Sequence, residues 1–183
     1  MGDLITKVGK KKESTAPQLR ISGAEVKILS AKFLGIGDVV TKNDGSTFTV
    51  DKPRIDTNCE VIDTPKHKKG DIGTKWFESF YYPETEKGSG EFENRPNTKI
   101  GNLTILIYGE GWDEKGTVLK PEDMEGLTFL CNLKVKTEFG GTKPTGTMIE
   151  HDSFEAIPQE EDWADIPMDD PPPPDFSKTK GKK

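Results

Sequence analysis

The first run in which apolar and polar residues alternate is "LRISGAEVKILSAKFLG" at 19–35, where Val26 and Ile28 interleave with Glu25 and Lys27. A period of two predicts a strand with one face against a core. In "TKNDGSTFTV", Asn43-Asp44-Gly45 predicts a hairpin turn, because glycine accepts a positive φ. "RIDTNCEVID" alternates again, with Ile55, Thr57, Cys59 and Val61 on one face and Asp56, Asn58 and Glu60 on the other. "PKHKKGDIG" reads as a basic turn leading into "TKWFESFYYP", the most aromatic stretch of the chain. There Trp76, Phe80 and Tyr82 share one face and Phe77 and Tyr81 the other, and the alternation does not say which face is inside.

A polar, glycine-containing loop follows at 84–96. In "NTKIGNLTILIYG" the β-branched content favours a strand, yet Ile100, Leu103, Leu106 and Ile107 have helical spacing. With Asn97 as a cap, the spacing predicts a short helix. "KPEDMEGLTFLCNLKVKTEFGG" carries a strand with Leu127, Phe129, Cys131, Leu133 and Val135 inward, closed by Gly140-Gly141. A last short strand is expected around Met148 to Phe154. The sum is five or six strands and one short helix, a mainly β protein. Sandwich, small barrel and open sheet all fit, and a partly open five-stranded barrel with a helix after its third strand is the economical choice. Residues 1–18, with Lys10, Lys11 and Lys12 together, read as a flexible basic arm; 19–155 as the folded domain; and 156–183 as a disordered, acidic, proline-rich tail.

Composition changes this picture at one point. The chain has 183 residues, 31% hydrophobic and 32% charged, with 19 glycines and 13 prolines, as expected of a loop-rich β body with part of the chain outside its core. Its net charge of −6 is not spread evenly: Gln159 to Phe176 carries seven acids and no Lys or Arg, which leaves the rest at +1. A body near neutrality is compatible with a polyanionic partner when the acid is segregated in this way. No signal peptide is expected from "MGDLITKVGKKKEST", and no apolar run is long enough to cross a membrane. A cytoplasmic protein is the default.

Catalytic constellations are thin. His67 lies in a lysine-rich turn and His151 at the tail junction, so neither promises a rigid triad. "GIG" at 35–37 lacks the further residues of a phosphate loop. No metal-ligand spacing appears, no cofactor is implied, and the chain reads as a non-enzyme. Cys59 and Cys131 read as two buried thiols, with a disulfide or a metal as the alternatives. Binding chemistry is better represented. Rings at Trp76, Phe77 and Tyr81 could stack on nucleobases. Lys52, Arg54, Lys66, Lys68, Lys69, Lys75, Lys134, Lys136 and Lys143 could neutralise phosphates. The plainer reading is that one aromatic face is core, the other is covered by the 83–96 loop, and the lysines are merely solvated.

The order "VKILSAKFLG", "NCEVID", "KWFESFYY", "NLTILIYG", "MEGLTFLCNLKVKTEFGG" resembles the OB-fold single-stranded DNA-binding proteins of bacteria and their phages, over roughly residues 20–155. The tail segment "DWADIPMDD" is similar to the acidic tip of the bacterial members, where aspartates precede an Ile-Pro-Phe terminus. Asp165, Ile166 and Pro167 match, whereas Met168 stands in place of the Phe, and Phe176 comes only after the proline run. The resemblance implies a five-stranded OB-fold-like barrel that binds single-stranded DNA without sequence preference in phage replication or recombination. It also implies a tail that recruits replication or recombination proteins through Trp163, Asp165, Ile166, Asp169, Asp170 and Phe176. The alternative from another class is a β-rich protein-interaction or virion-structural module with a solubilising tail; an acidic tail that mimics DNA would also suit an inhibitor of a nucleic-acid enzyme.

Overall fold

The computed structural model describes residues 16–42 and 44–158, without the side chains of Lys66 and His67. Most of the expected basic arm and all the tail residues proposed for partners (Trp163, Asp165, Ile166, Asp169, Asp170 and Phe176) lie outside the described residues.

The protein is mainly β. Its strands are β1 (Ile21–Leu34), β2 (Val39–Thr41), β3 (Thr47–Thr49), β4 (Arg54–Asp63), β5 (Lys75–Tyr81), β6 (Thr128–Thr137) and β7 (Pro144–Ile149). A 3-10 turn spans Lys66–Asp71, and two helices, α1 (Lys99–Tyr108) and α2 (Pro121–Met124), precede β6. Five strands form one antiparallel sheet in the order β5-β4-β1-β6-β7, and β2 and β3 form a separate hairpin. Of the expected turn Asn43-Asp44-Gly45, Asn43 is outside the described residues, and Gly45 lies between β2 and β3 with φ 84°, its N–H donating to the Lys42 carbonyl at 2.9 Å.

β1 organises the sheet. Its first half pairs with β6 (Ile21↔Leu133 to Lys27↔Thr128) and most of its length with β4 (Glu25↔Asp63 to Leu34↔Arg54). Register shifts at Ile21/Ala24, Glu25/Val26 and Ile28/Ser30 let a single 14-residue strand bend between two neighbours. Gly23, at φ 67°, supplies the left-handed residue inside the first shift.

The inner faces meet around Val26, Ile28, Ile55, Phe80, Phe129 and Ile149, all fully buried. Burying a side chain of this size stabilises the fold by about 1.5–3 kcal/mol. Ile55, Thr57, Cys59 and Val61 do point inward, as their alternation predicts. The sheet does not close as a ladder, since no backbone bonds join β5 to β7. A side chain crosses the gap instead: Glu78 on β5 accepts the Ile149 N–H of β7 at 2.9 Å.

The short helix is present but capped differently from expectation. Thr98, not Asn97, is the N-cap, and its hydroxyl oxygen accepts the Gly101 N–H at 3.0 Å. Asn97 stands just outside at φ 62°. A ten-residue helix is marginal by itself, and α1 is held by Ile100 and Leu103 in the common core. Gly101 is sterically required, because a Cβ there would lie 1.9 Å from the Arg95 carbonyl oxygen.

The last strand is displaced from its expected place at Met148–Phe154. It runs over Pro144–Ile149, and the chain then turns at Glu150–Ser153 before Glu155 pairs with Leu130 as an isolated bridge. Thr147 ties the start of the described chain to β7, accepting the Leu19 N–H at 2.9 Å and donating to the Pro17 carbonyl at 2.7 Å.

Candidate functional site

The outer surface of β1, β4 and β5 is built from four cross-strand rows: Lys27–Glu60–Lys75, Ser30–Asn58–Phe77, Lys32–Asp56–Ser79 and Leu34–Arg54–Tyr81. On β5 this face carries Lys75, Phe77, Ser79 and Tyr81, because the opposite set, Trp76, Glu78 and Phe80, is buried. Phe77 is 56% exposed and Tyr81 48%. They lie four residues apart along one strand face, a separation of about 13 Å. Trp76, expected with them, is on the other side, 6% exposed within the core, and cannot stack on a ligand at this surface.

The β2–β3 hairpin stands against the same face. Between them lies a groove of about 420 Å³ whose lining includes Lys32, Val39, Thr41, Asp56, Asn58 and Phe77. Asn58 is oriented there by donating through Nδ2 to the Ser30 hydroxyl at 2.9 Å.

Arg54 occupies the end of this surface, but it is engaged. Its Nε meets Asp56 Oδ1 at 2.8 Å, and the side chains of the pair are only 9% and 10% exposed. Asp56 also accepts from the Ser79 hydroxyl at 2.6 Å. The Arg54 guanidinium also lies 5.3 Å from the Phe48 ring centroid and 5.4 Å from that of Tyr81. Lys42 reaches the same Phe48 ring at 5.5 Å. Burial works against the Arg54 charge, but the hydrogen bond and the charge of Asp56 outweigh it and hold the guanidinium above its ordinary pKa. Arg54 is therefore a fixed cation close to two rings, with its charge largely answered by Asp56.

The remaining basic residues divide. Lys75 is exposed on the aromatic face, Lys52 is exposed just ahead of β4, and Lys68 and Lys69 sit in the 3-10 turn with Lys66 before β5. Lys134 and Lys136 are exposed on β6, which β1 separates from β4, and Lys143 is exposed in the β6–β7 loop. The aromatic pair and these three lysines are not brought together. Sequence reasoning missed Lys32, Lys42 and Phe48. The signal for Phe48 was its position as the lone large apolar residue beside a turn. Phe139 in the β6–β7 loop was missed as well, and it is wholly exposed.

Cys59 and Cys131 are free, buried thiols. Burial pushes the Cys59 thiol up to about 12 and raises Cys131 as well, which makes both poor nucleophiles. His151 lies at the surface against the Asp152 carboxylate. Among the described residues, no helix is long and apolar enough to cross a membrane.

No protein-family model matches the chain, and neither the curated proteins nor the solved structures include a significant match.

Proposed function

We propose that this chain is a non-enzymatic, sequence-tolerant single-stranded DNA-binding protein of phage replication or recombination. The observation that carries the reading is the pair of half-exposed rings, Phe77 and Tyr81, on one strand face beside a hairpin-walled groove. Base stacking on such rings is indifferent to sequence, because every base has a π-face. The strand order supports an OB-fold-like barrel: the first long strand lies between the second and the fourth of the five sheet strands, the helix follows the third, and Glu78 bridges the remaining gap. On this reading the β2–β3 hairpin, which walls the groove beside Phe77, is the loop that grips the strand.

Phosphates would be met by Lys32, Lys42, Lys52 and Lys75, with Lys66, Lys68 and Lys69 extending the track. The acidic tail would recruit replication or recombination proteins through Trp163, Ile166 and Phe176 and would compete with DNA when DNA is absent. The protein would work in the cytoplasm of the host. Titration of labelled poly-dT with the full chain and with a chain ending at residue 158 tests this. Binding should weaken steeply with salt, and the shortened chain should bind more tightly. No binding by either chain at low salt would overturn the proposal.

A second reading, a protein-interaction module, draws on the spent charge of Arg54 and on Phe33, Ile36 and Val39, which are 48%, 59% and 68% exposed. A surface of that kind suits an apolar partner, and the same titration separates the two.

A further inference from the structure

Charge inside the folded body is as unevenly placed as it is along the chain. Residues 16–158 carry 18 Lys and Arg against 23 acids, a balance of −5. Two segments hold more than all of that excess: 84–93 has four acids against Lys87, and 110–125 has six against Lys115 and Lys120. Together they come to −7, which leaves the remainder of 16–158 at +2.

The two segments meet in space. At the end of β5 lies a cavity of about 580 Å³, lined by Tyr82, by Phe92 and Glu93 of the first segment, and by Asp113, Thr117 and Val118 of the second. Both segments are held in place. Glu84 pairs with Phe92 as an isolated bridge, and Arg95 donates from Nη2 to the Glu84 carbonyl at 2.7 Å. On the other side the Tyr108 hydroxyl donates to the Asp123 carboxylate, tying the end of α1 to α2.

The reachable part of this lining sets the kind of occupant. Val118 is 71% exposed, the Glu93 side chain 56%, Asp113 is exposed, and Tyr82 and Phe92 are half-buried. Trp112 and Leu119 lie beneath and offer no surface to a ligand. Arg95 is the one cation of the lining, and its two Nη atoms are committed to the Glu84 and Thr85 carbonyls. Solvent therefore meets a small apolar patch rimmed by carboxylates. Such a surface suits a cationic segment that carries one large apolar side chain.

The chain contains a segment of that composition. In Phe176–Lys183 an aromatic ring is followed by Lys178, Lys180, Lys182 and Lys183, a charge of +4. The other basic segment, residues 1–15, comes to +2 and has no aromatic residue. Four prolines, Pro171–Pro174, separate the lysines from the acids at 160–170, and a proline run is a stiff spacer of about 3.1 Å per residue. Reach is sufficient. Seventeen residues stand between Pro158 and Phe176, a link of about 60 Å when extended. A body of this size has a radius of gyration of only about 14 Å. The described chain also leaves from the right side: Glu155 pairs with Leu130 in β6, the strand that directly follows α2 and the 110–125 segment.

We propose that Phe176–Lys183 docks on this cavity within the same chain, with the Phe176 ring against Val118 and the lysines beside Glu93 and Asp113. Tethering supplies an effective concentration in the millimolar range, so a weak contact is enough to fill the site. Docking withholds Phe176 from a recruited protein until that protein competes for it. The inference concerns the body and its own tail, and it stands or falls apart from strand binding.

The test places a nitroxide on Ser177→Cys in the full chain, where Cys59 and Cys131 are buried and stay unlabelled. In 15N spectra at low salt the amide signals of Glu93, Asp113 and Val118 should lose most of their intensity, while those of Lys134 and Lys136 on β6 keep theirs. Raising the salt should restore the lost signals, since the charges involved are exposed. Glu93→Lys with Asp113→Lys should restore them at low salt, and Val118→Asp should do the same. Thermal unfolding of these variants should be unchanged, because all three side chains are at the surface. Signals lost around Phe77 and Lys75 instead, or nowhere, overturn the proposal, as does unchanged loss in the charge-reversed variant. Equal loss on mixing spin-labelled 14N chain with unlabelled 15N chain would assign the segment to a second copy and overturn docking within one chain.

Discussion

The two faces of β5 carry almost the same residue chemistry and end with opposite tasks. Inside are Trp76, Glu78 and Phe80; outside are Phe77, Ser79 and Tyr81. Each face also has an ion pair of similar length, Glu78–Lys99 at 2.7 Å inside and Arg54–Asp56 at 2.8 Å outside. The inner pair is bound into the fold, since Glu78 also takes the Ile149 N–H and Lys99 lies 5.4 Å from the Phe80 ring centroid. The outer pair is bound to rings that solvent reaches. The difference is one of neighbours: the inner pair joins elements that have no ladder between them, and the outer pair shapes a surface.

The largest effect should come from breaking the inner pair. Glu78→Ala removes the only described side chain that bonds β5 to β7 and leaves Lys99 partly buried without its partner. A stability loss of about 3–5 kcal/mol is expected from urea unfolding. Glu78→Leu combined with Lys99→Met should recover much of it, because no charge then stays unanswered. Equal losses in the single and double variants would mean that the pair is incidental and that packing alone joins the two edges.

The inner face of β4 allows a second check. With its pKa pushed to about 12, the Cys59 thiol is neutral at ordinary pH and becomes a thiolate only as pH rises toward that value. At pH 8 its thiolate fraction, and with it the rate of attack on a disulfide reagent, should lie roughly a thousandfold below that of an exposed thiol. Reaction in the folded protein should therefore track opening of the core, and Glu78→Ala should speed it. Rapid labelling of the wild type without denaturant would place Cys59 outside the core.

These contrasts also mark what the chain's pattern can tell. Alternation alone located β1, β4 and β6 and sorted β4 correctly, because Asp56, Asn58 and Glu60 are all polar opposite Ile55, Thr57, Cys59 and Val61. It could not sort β5. Both faces there are aromatic, and the one acid, Glu78, sits on the inner side, where local reasoning would least place it. Its partners are 21 and 71 residues away, so no window along the chain reveals them. For the same reason Arg54 and Trp76 looked available. The first is held by Asp56 and two rings, the second by the core. β7 was misplaced because Pro144–Ile149 has threonines and glycine where an apolar alternation would have announced a strand. The groove beside Phe77 depends on the hairpin leaning on the sheet, which is tertiary information.

On the outer face the expected effects concern binding and not folding. Phe77→Ala and Tyr81→Ala should each weaken binding to poly-dT by about 1–3 kcal/mol. The effect on unfolding should stay within about 0.5 kcal/mol for Phe77, whose ring is exposed. Tyr81→Ala should cost somewhat more, since its ring covers Arg54 and its hydroxyl accepts from Arg54 Nη1 at 3.4 Å. Full affinity in the Phe77→Ala, Tyr81→Ala double variant would remove the stacking surface from the mechanism.

The smallest change sharpens where the outer face ends. Lys134 and Lys136 are as exposed as Lys75, yet they stand on β6, across β1 from β4. If the strand runs over β4 and β5 only, Lys134→Ala with Lys136→Ala should leave both affinity and the slope of log K against log salt almost unchanged. Lys75→Ala should reduce that slope by about 0.7, the value for one phosphate contact on a single strand. A loss of about 1.4 in the slope on changing the β6 lysines would mean that two phosphates pass over β6 as well. The path would then wrap around β1, and the register shifts that bend β1 would be part of the binding surface as well as of the fold.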